Sequence, residues 1–230
     1  MEESYKPDHM LDKRYPNDYT KEILEDFAKT TNTTHGVTIP VNIEVKAEQK
    51  IIDYNSMEQI LKKASKYALQ DCECRLGLEN CDNPNDVCIA LDDYADKRIE
   101  IGKYNARMVT YEEALDAVKR AHDAGLVHMA YSREEDDFPK GICGCCTCCC
   151  AYLGGVVRFG VSLPIVTSDK VAAYDSELCG GCGVCVDRCQ FDAREFVDGK
   201  LVFHVDRCFG CSNCTSTCSN QANTMIPRNQ

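Results

Sequence analysis

Tryptophan is absent from this chain of 230 residues, and no apolar run is longer than a few residues. A helix crossing a bilayer needs about 20 mostly apolar residues, so no membrane span is expected. The N-terminal stretch MEESYKPDHMLDKRY has no apolar centre, which predicts no secretory signal and a cytoplasmic chain. No G-x-G-x-x-G lies between a strand and a helix, and no G-x4-G-K-[ST] is present, so no common nicotinamide, flavin or nucleotide site is expected. A G-x-S-x-G elbow is also missing. The adjacent acids Asp92-Asp93 and Glu112-Glu113 read as solvated faces, and no hydrolytic or acid–base chemistry is proposed from them. Basic residues are the minority, 26 against 37 acidic ones, for a net charge of −11. Phosphate repulsion then argues against nucleic acid as a partner.

Cysteine is what the chain has in excess: 18 residues. In a chain without a secretory signal such density points to metal rather than disulfides. Eight of them spell C-x2-C-x2-C-x3-C twice, as Cys179, Cys182, Cys185, Cys189 and as Cys208, Cys211, Cys214, Cys218. This spacing lets the backbone curl around a [4Fe–4S] core while the thiolates reach different irons, and Gly180, Gly181, Gly183 and Gly210 ease the curl. In the two-cluster arrangement the fourth cysteine of each run crosses over. Cys179, Cys182, Cys185 and Cys218 are therefore assigned to one cluster, and Cys208, Cys211, Cys214 and Cys189 to the other.

Residues 175–227 resemble a bacterial-type 2[4Fe–4S] ferredoxin module, which implies a small α+β fold with pseudo-twofold symmetry. The usual proline after each fourth cysteine is replaced here by Gln190 and Ser219. That exchange removes apolar cover near the sulfurs without removing a ligand.

Ten cysteines precede the module. Cys72, Cys74, Cys81 and Cys88 form one group, read as holding a third [4Fe–4S] cluster, with zinc as the main rival. Cys143, Cys145, Cys146, Cys148, Cys149 and Cys150 form a second. Six cysteines in this segment exceed the need of one cubane. They are expected to bind metal: a fourth cluster with spare thiols, a site shared with the first group, or a larger cluster. Arg75 is placed to offset cluster charge, or is a surface residue. His128 reads as a core or edge residue rather than a ligand, and His204 as a strand residue. The order DCECR, NCDNPNDVC, GLVH, ICGCCTCCC and then tandem ferredoxin runs resembles larger ferredoxin-like multi-cluster proteins of anaerobic bacteria and archaea over residues 37–227. That resemblance implies electron transfer.

Thr20 is expected to cap a short helix with Ile23, Leu24 and Phe27 on one face. Residues 37–54 read as two strands around a polar turn. Ser56 and Gln59 form a capping box for a helix carrying Met57, Ile60, Leu61, Ala64 and Ala68. A second helix starts at Thr110, carries Ala114, Leu115, Val118 and Ala121, and stops at Gly125. Leu126 to Ala130 suggests a strand, and 132–137 a loop.

The predicted fold class is α+β: a cysteine-rich helical and small-sheet N-terminal domain followed by a dicluster ferredoxin-like domain. The expected divisions are a flexible arm at 1–18, the cysteine-rich domain at 19–165 and the dicluster domain at 166–230. The expected function is single-electron transfer through several [4Fe–4S] clusters to or from a redox protein or enzyme complex, for which an acidic surface suits a basic docking patch. A reductase with an open-coordinated cluster at Cys143–Cys150 is the alternative, and a metal or cluster assembly factor a further one.

Overall fold

A computed structural model describes residues 11, 13–31, 49–51, 54–131, 138–161 and 165–228. The centre of the N-terminal part is a seven-stranded sheet. Its strands are β1 (Gln49–Ile51), β2 (Tyr67–Asp71), β3 (Asp86–Leu91), β4 (Arg107–Val109), β5 (Val127–Tyr131), β6 (Gly141–Cys145) and β7 (Ile165–Val166), in the order β4-β2-β3-β6-β5-β1-β7. Among the described residues only the β1–β7 pairing is parallel; the others are antiparallel. Side chains alternate across the sheet as the two-residue strand period requires. Leu69, Ile89 and Leu91 face α2 (Tyr54–Lys63) and α5 (Tyr111–Asp123), where they meet Met57, Leu61, Ala114 and Val118. Ala68 and Ala90 point the other way and meet Ala95 of α4 (Asp92–Ile101). The small side chains let that helix lie close.

Two helix expectations change. The helix from 54 ends at Lys63, and Ala68 lies on β2. The Tyr67 hydroxyl lies 2.7 Å from both the Leu61 and the Ala64 carbonyl oxygens and shares its one proton between them at the end of the helix. Pairing with β3 and β4 then overrides the helical spacing. In α1 (Lys21–Thr31), Leu24 and Ala28 are buried while Ile23 is 56% exposed, so the apolar face is Leu24, Phe27 and Ala28. Thr20 does accept from the Ile23 amide, at 3.3 Å. The Thr110 capping box is present in full, and Gly125, at φ +77°, follows the end of α5. Of the strands expected over 37–54, β1 is seen, residues 54 onward are helical, and 37–48 lie outside the described residues, as does the loop at 132–137.

The last described residues of the expected N-terminal arm are held down. Leu11 is buried, and its amide donates to the Val157 carbonyl at 2.9 Å. Asp18 receives both terminal nitrogens of Arg158, at 2.5 and 2.7 Å, from α6 (Ala151–Phe159).

The C-terminal part repeats one supersecondary unit. Strand β8 (Lys170–Tyr174) pairs with β11 (Asn223–Pro227), and β9 (Arg194–Val197) pairs with β10 (Lys200–Phe203). The one-turn helices α7 (Val184–Asp187) and α8 (Asn213–Ser216) sit within the two cysteine runs. Equivalent positions share left-handed backbone: Gly181 with Gly210, and Gly183 with Ser212. A Cβ on Gly210 would lie 2.1 Å from the Lys170 carbonyl oxygen, so only glycine fits there.

This unit docks on the end of α5. The last carbonyls of a helix lack partners within it. Arg188 donates to the His122 and Asp123 carbonyls, while Asn213 and Gln190 donate to that of Gly125. His122 Nε2 meets Ser216 Oγ at 2.6 Å. No helix among the described residues is long and apolar enough to cross a membrane.

Candidate metal centres

In the C-terminal unit the two runs wrap around each other. Three cysteines of the first run, Cys179, Cys182 and Cys185, line a cavity of about 220 Å³ together with Cys218 of the second. Cys208, Cys211 and Cys214 line another with Cys189. Cys182 is exposed, whereas Cys189, Cys208 and Cys211 pack against the apolar core shared with the N-terminal part. The first set thus spans from exposed Cys182 to buried Cys185, while the second lies half-buried against the core and is the inner of the two.

Burial pushes the Cys185, Cys189 and Cys211 thiols up, and that of Cys214 up to about 11. Thiolate is the ligating form, so loading these sites with metal must displace protons.

Arg194 was invisible to spacing arguments. It is 3% exposed and stacks over Phe203 at 4.3 Å and Tyr174 at 5.8 Å. Its charge acts on Cys179 and Cys185 of one set and on Cys189 and Cys214 of the other. A cation so placed offsets thiolate charge at both.

The ten N-terminal cysteines divide by space rather than by sequence. Cys81 leaves its neighbours in the chain and joins Cys146, Cys148 and Cys149, with all four sulfurs within 4.8 Å of one another. The other six form a ring. Thiol contacts join Cys74 to Cys72 and Cys72 to Cys88 on one side, and Cys143 to Cys145 and Cys145 to Cys150 on the other. Contacts between Cys88 and Cys143 and between Cys74 and Cys150 close it. The ring borders a cavity of about 240 Å³, many times the 10–15 Å³ or so that one water requires.

Local structure explains the division. Cys143 and Cys145 are two residues apart on β6 and so share a face. The register of β3 on β6 puts Cys88 opposite Cys143. Cys72 and Cys74 enter α3 (Glu73–Leu78) from the end of β2, and Cys150 stands at the N-cap of α6, accepting from the Leu153 amide. Cys146, Cys148 and Cys149 lie beyond β6 in the turn and pack with Val87, Ala121 and Leu126, though Cys146 and Cys149 also line the cavity that the ring borders. Thiol directions alternate around the ring. Hydrogen bonds from neighbouring thiols pull Cys72, Cys143 and Cys150 down, while Cys74, Cys88 and Cys145 are pushed up by donating to them.

Arg75 is a buried residue, 2% exposed, between the two sets. It donates to the Pro84 carbonyl at 2.6 Å, to the Gly144 carbonyl at 2.9 Å and toward Cys146 Sγ at 3.7 Å. Burial pulls its guanidinium down, but the charges of Cys146 and Cys72 outweigh this and raise it. His128 is buried and stacked on His122 at 5.7 Å. His204 follows β10 and pairs with Glu195 at 2.6 Å.

Gln190, which replaces the usual proline, spans the two parts. Its Oε1 accepts from the Thr147 amide at 2.8 Å and its Nε2 donates to the Gly125 carbonyl at 2.6 Å. The residue after Cys189 thus touches the turn that carries Cys146 and Cys148. The departure from the ferredoxin pattern marked the position, but its partner was not legible without the fold.

Cysteine-lined cavities at ferredoxin spacing define an iron–sulfur, ferredoxin-like module. Residues 172–195 match the 4Fe-4S binding domain, a span that holds all of the first run and ends before the second. No curated protein matches the chain.

Proposed function

We propose that this chain is an electron-transfer protein that passes single electrons through several iron–sulfur clusters to or from a partner redox enzyme. The observation that carries the reading is the crossed lining of the two C-terminal cavities, each with three cysteines of one run and the fourth of the other. Cys179, Cys182, Cys185 and Cys218 would hold one [4Fe–4S] cluster, and Cys208, Cys211, Cys214 and Cys189 a second. Such clusters supply one-electron chemistry at potentials the surrounding residues tune. Arg194 offsets charge at both sets, and Gln190 and Asn213 hold the inner set against the N-terminal part. Residues 166–230 are read as the dicluster domain and 19–165 as the cysteine-rich one. The six-thiol ring of Cys72, Cys74, Cys88, Cys143, Cys145 and Cys150 is read as a third iron–sulfur site. We place the protein in the cytoplasm of an anaerobe, with a partner carrying a basic patch that meets the acidic surface.

A second reading has a specific observation behind it. The ring offers more thiolates than four iron corners can use, beside a cavity lined by Tyr131, Tyr152 and Arg98. A reductase acting on a small molecule at that site would use the C-terminal clusters as its supply.

Oxygen-free purification followed by iron, sulfide and EPR measurement tests the first reading. About eight irons per chain correspond to the C-terminal pair alone, and about twelve add the third site. Reduced protein should show interacting S = 1/2 signals. An iron-free, EPR-silent protein refutes the proposal. An iron with a non-cysteine ligand in the N-terminal part favours the reductase.

A further inference from the structure

Cys81, Cys146, Cys148 and Cys149 differ from every other cysteine set in how tightly their sulfurs close. Cys81 Sγ stands 3.8 Å from that of Cys146 and 3.9 Å from that of Cys149, and the Cys148 and Cys149 sulfurs are 3.8 Å apart. No pair among the four exceeds 4.8 Å. A single tetrahedral zinc ion has metal–sulfur bonds of about 2.3 Å, and a tetrahedron of that size has edges of about 3.8 Å. Thiolates on a cubane sit on four different irons and diverge from the core, so they stand farther apart.

We propose that these four cysteines form a mononuclear tetrathiolate site that binds zinc, separate from the iron–sulfur centres. The environment suits the charge of such a site. Four thiolates on a divalent ion leave a net −2, and the four residues are buried or nearly so. Two N–H donors face the sulfurs: Asn83 Nδ2 at 3.3 Å from Cys81 and the Arg75 guanidinium at 3.7 Å from Cys146. Outer donors of this kind orient ligands and spread their charge. Asn80 adds a brace, donating to the Cys148 carbonyl at 3.1 Å.

The site has a structural role that follows from chain order. Cys81 lies between Cys74 and Cys88, and Cys146, Cys148 and Cys149 lie between Cys145 and Cys150. One redox-inert ion would therefore tie together the two segments that present the six-thiol ring. It would fix the ring's geometry and contribute nothing to the count of electrons.

The test uses the full chain, produced with iron and zinc both supplied and purified without oxygen. Metal analysis should give about one zinc per chain. Zinc-edge X-ray absorption should show four sulfurs at about 2.3 Å. The Cys81→Ser variant should lose the ion or change its shell, while the EPR signals of the C-terminal clusters persist. Absence of zinc, with four further irons in its place, overturns the proposal, as does zinc that is indifferent to Cys81→Ser. The absorption measurement on the unaltered chain decides the matter if that variant does not fold. Iron-free protein with zinc at these four cysteines would instead remove the electron-transfer reading and leave this one standing.

Discussion

Replacing Arg158 by methionine tests whether an internal ion pair holds the cysteine turn in place. The Arg158 side chain is fully buried, while that of Asp18 keeps 12% exposure. Its guanidinium also donates to the Thr147 carbonyl at 2.7 Å and the Lys13 carbonyl at 3.1 Å. Methionine keeps an apolar stem against Tyr15 and Phe159, whose rings the arginine covers at 5.0 and 4.9 Å. What is lost is the charge and its donors. Breaking a buried ion pair by removing one partner costs about 3–5 kcal/mol. Water reaches part of the Asp18 carboxylate, so the low end, about 3 kcal/mol, is expected. In a chain of this size each kcal/mol moves Tm by about 2–4 °C, which predicts a fall of about 6–12 °C. Thermal unfolding of the anaerobic holoprotein measures this. Asp18→Asn, which keeps a hydrogen-bonding side chain, should cost less, and the double variant should cost less than the two single changes added together. The Thr147 carbonyl belongs to the turn bearing Cys146, Cys148 and Cys149, so metal content should fall along with stability. A Tm lowered by under about 2 °C would show that the pair does not brace the turn.

Three further outcomes are expected. Gln190→Ala leaves the Thr147 amide short of a partner, while the Gly125 carbonyl keeps Asn213, and should destabilise by about 1–3 kcal/mol; hydrogen exchange should speed up at Thr147 while β8 and β11 stay protected, and unchanged exchange at Thr147 counts against the bridge. Arg194→Gln removes a buried cation from both C-terminal sets and should make their potentials more negative by on the order of 60 mV, the one-electron equivalent of a tenfold change in equilibrium. Arg194→Lys should recover much of that shift, and identical potentials in all three proteins would sink the charge argument. Burial pushes the Asp18 carboxyl up, but the hydrogen bonds and charge of Arg158 pull it down further, to a net value below the ordinary one. Its stabilising contribution is therefore full above the unfolded carboxylate value of about 3.9 and is lost as pH falls through the lower folded value. The Tm gap between wild type and Arg158→Met should close below about pH 4, and a gap unchanged down to pH 2 would contradict the pairing.

Much of this protein was open to a reader of the amino-acid order alone, wherever neighbours in the chain are also neighbours in space. A run of C-x2-C-x2-C is a local device: its ligands, its glycines and its one-turn helix all lie within a few residues. The Thr110 capping box is local in the same sense, as it depends on one turn of helix. The helical spacing of Ala64 and Ala68 says nothing of the two strands that flank Tyr67–Asp71, and pairing with them makes that segment a strand. The partners of Gln190 and Arg194 were not legible, because Thr147 and Gly125 in one case and cysteines of both runs in the other come from distant or interleaved parts of the chain.

The ten N-terminal cysteines show where the boundary falls. Their number and their bias toward metal were decided by composition. Their division into four and six was decided by the sheet. The two-residue period of β6 and its register on β3 turned Cys143, Cys145 and Cys88 to one side, and the turn after β6 carried Cys146, Cys148 and Cys149 to Cys81. Strand register depends on contacts far apart in the chain, and no spacing of cysteines along it encodes which face each will take.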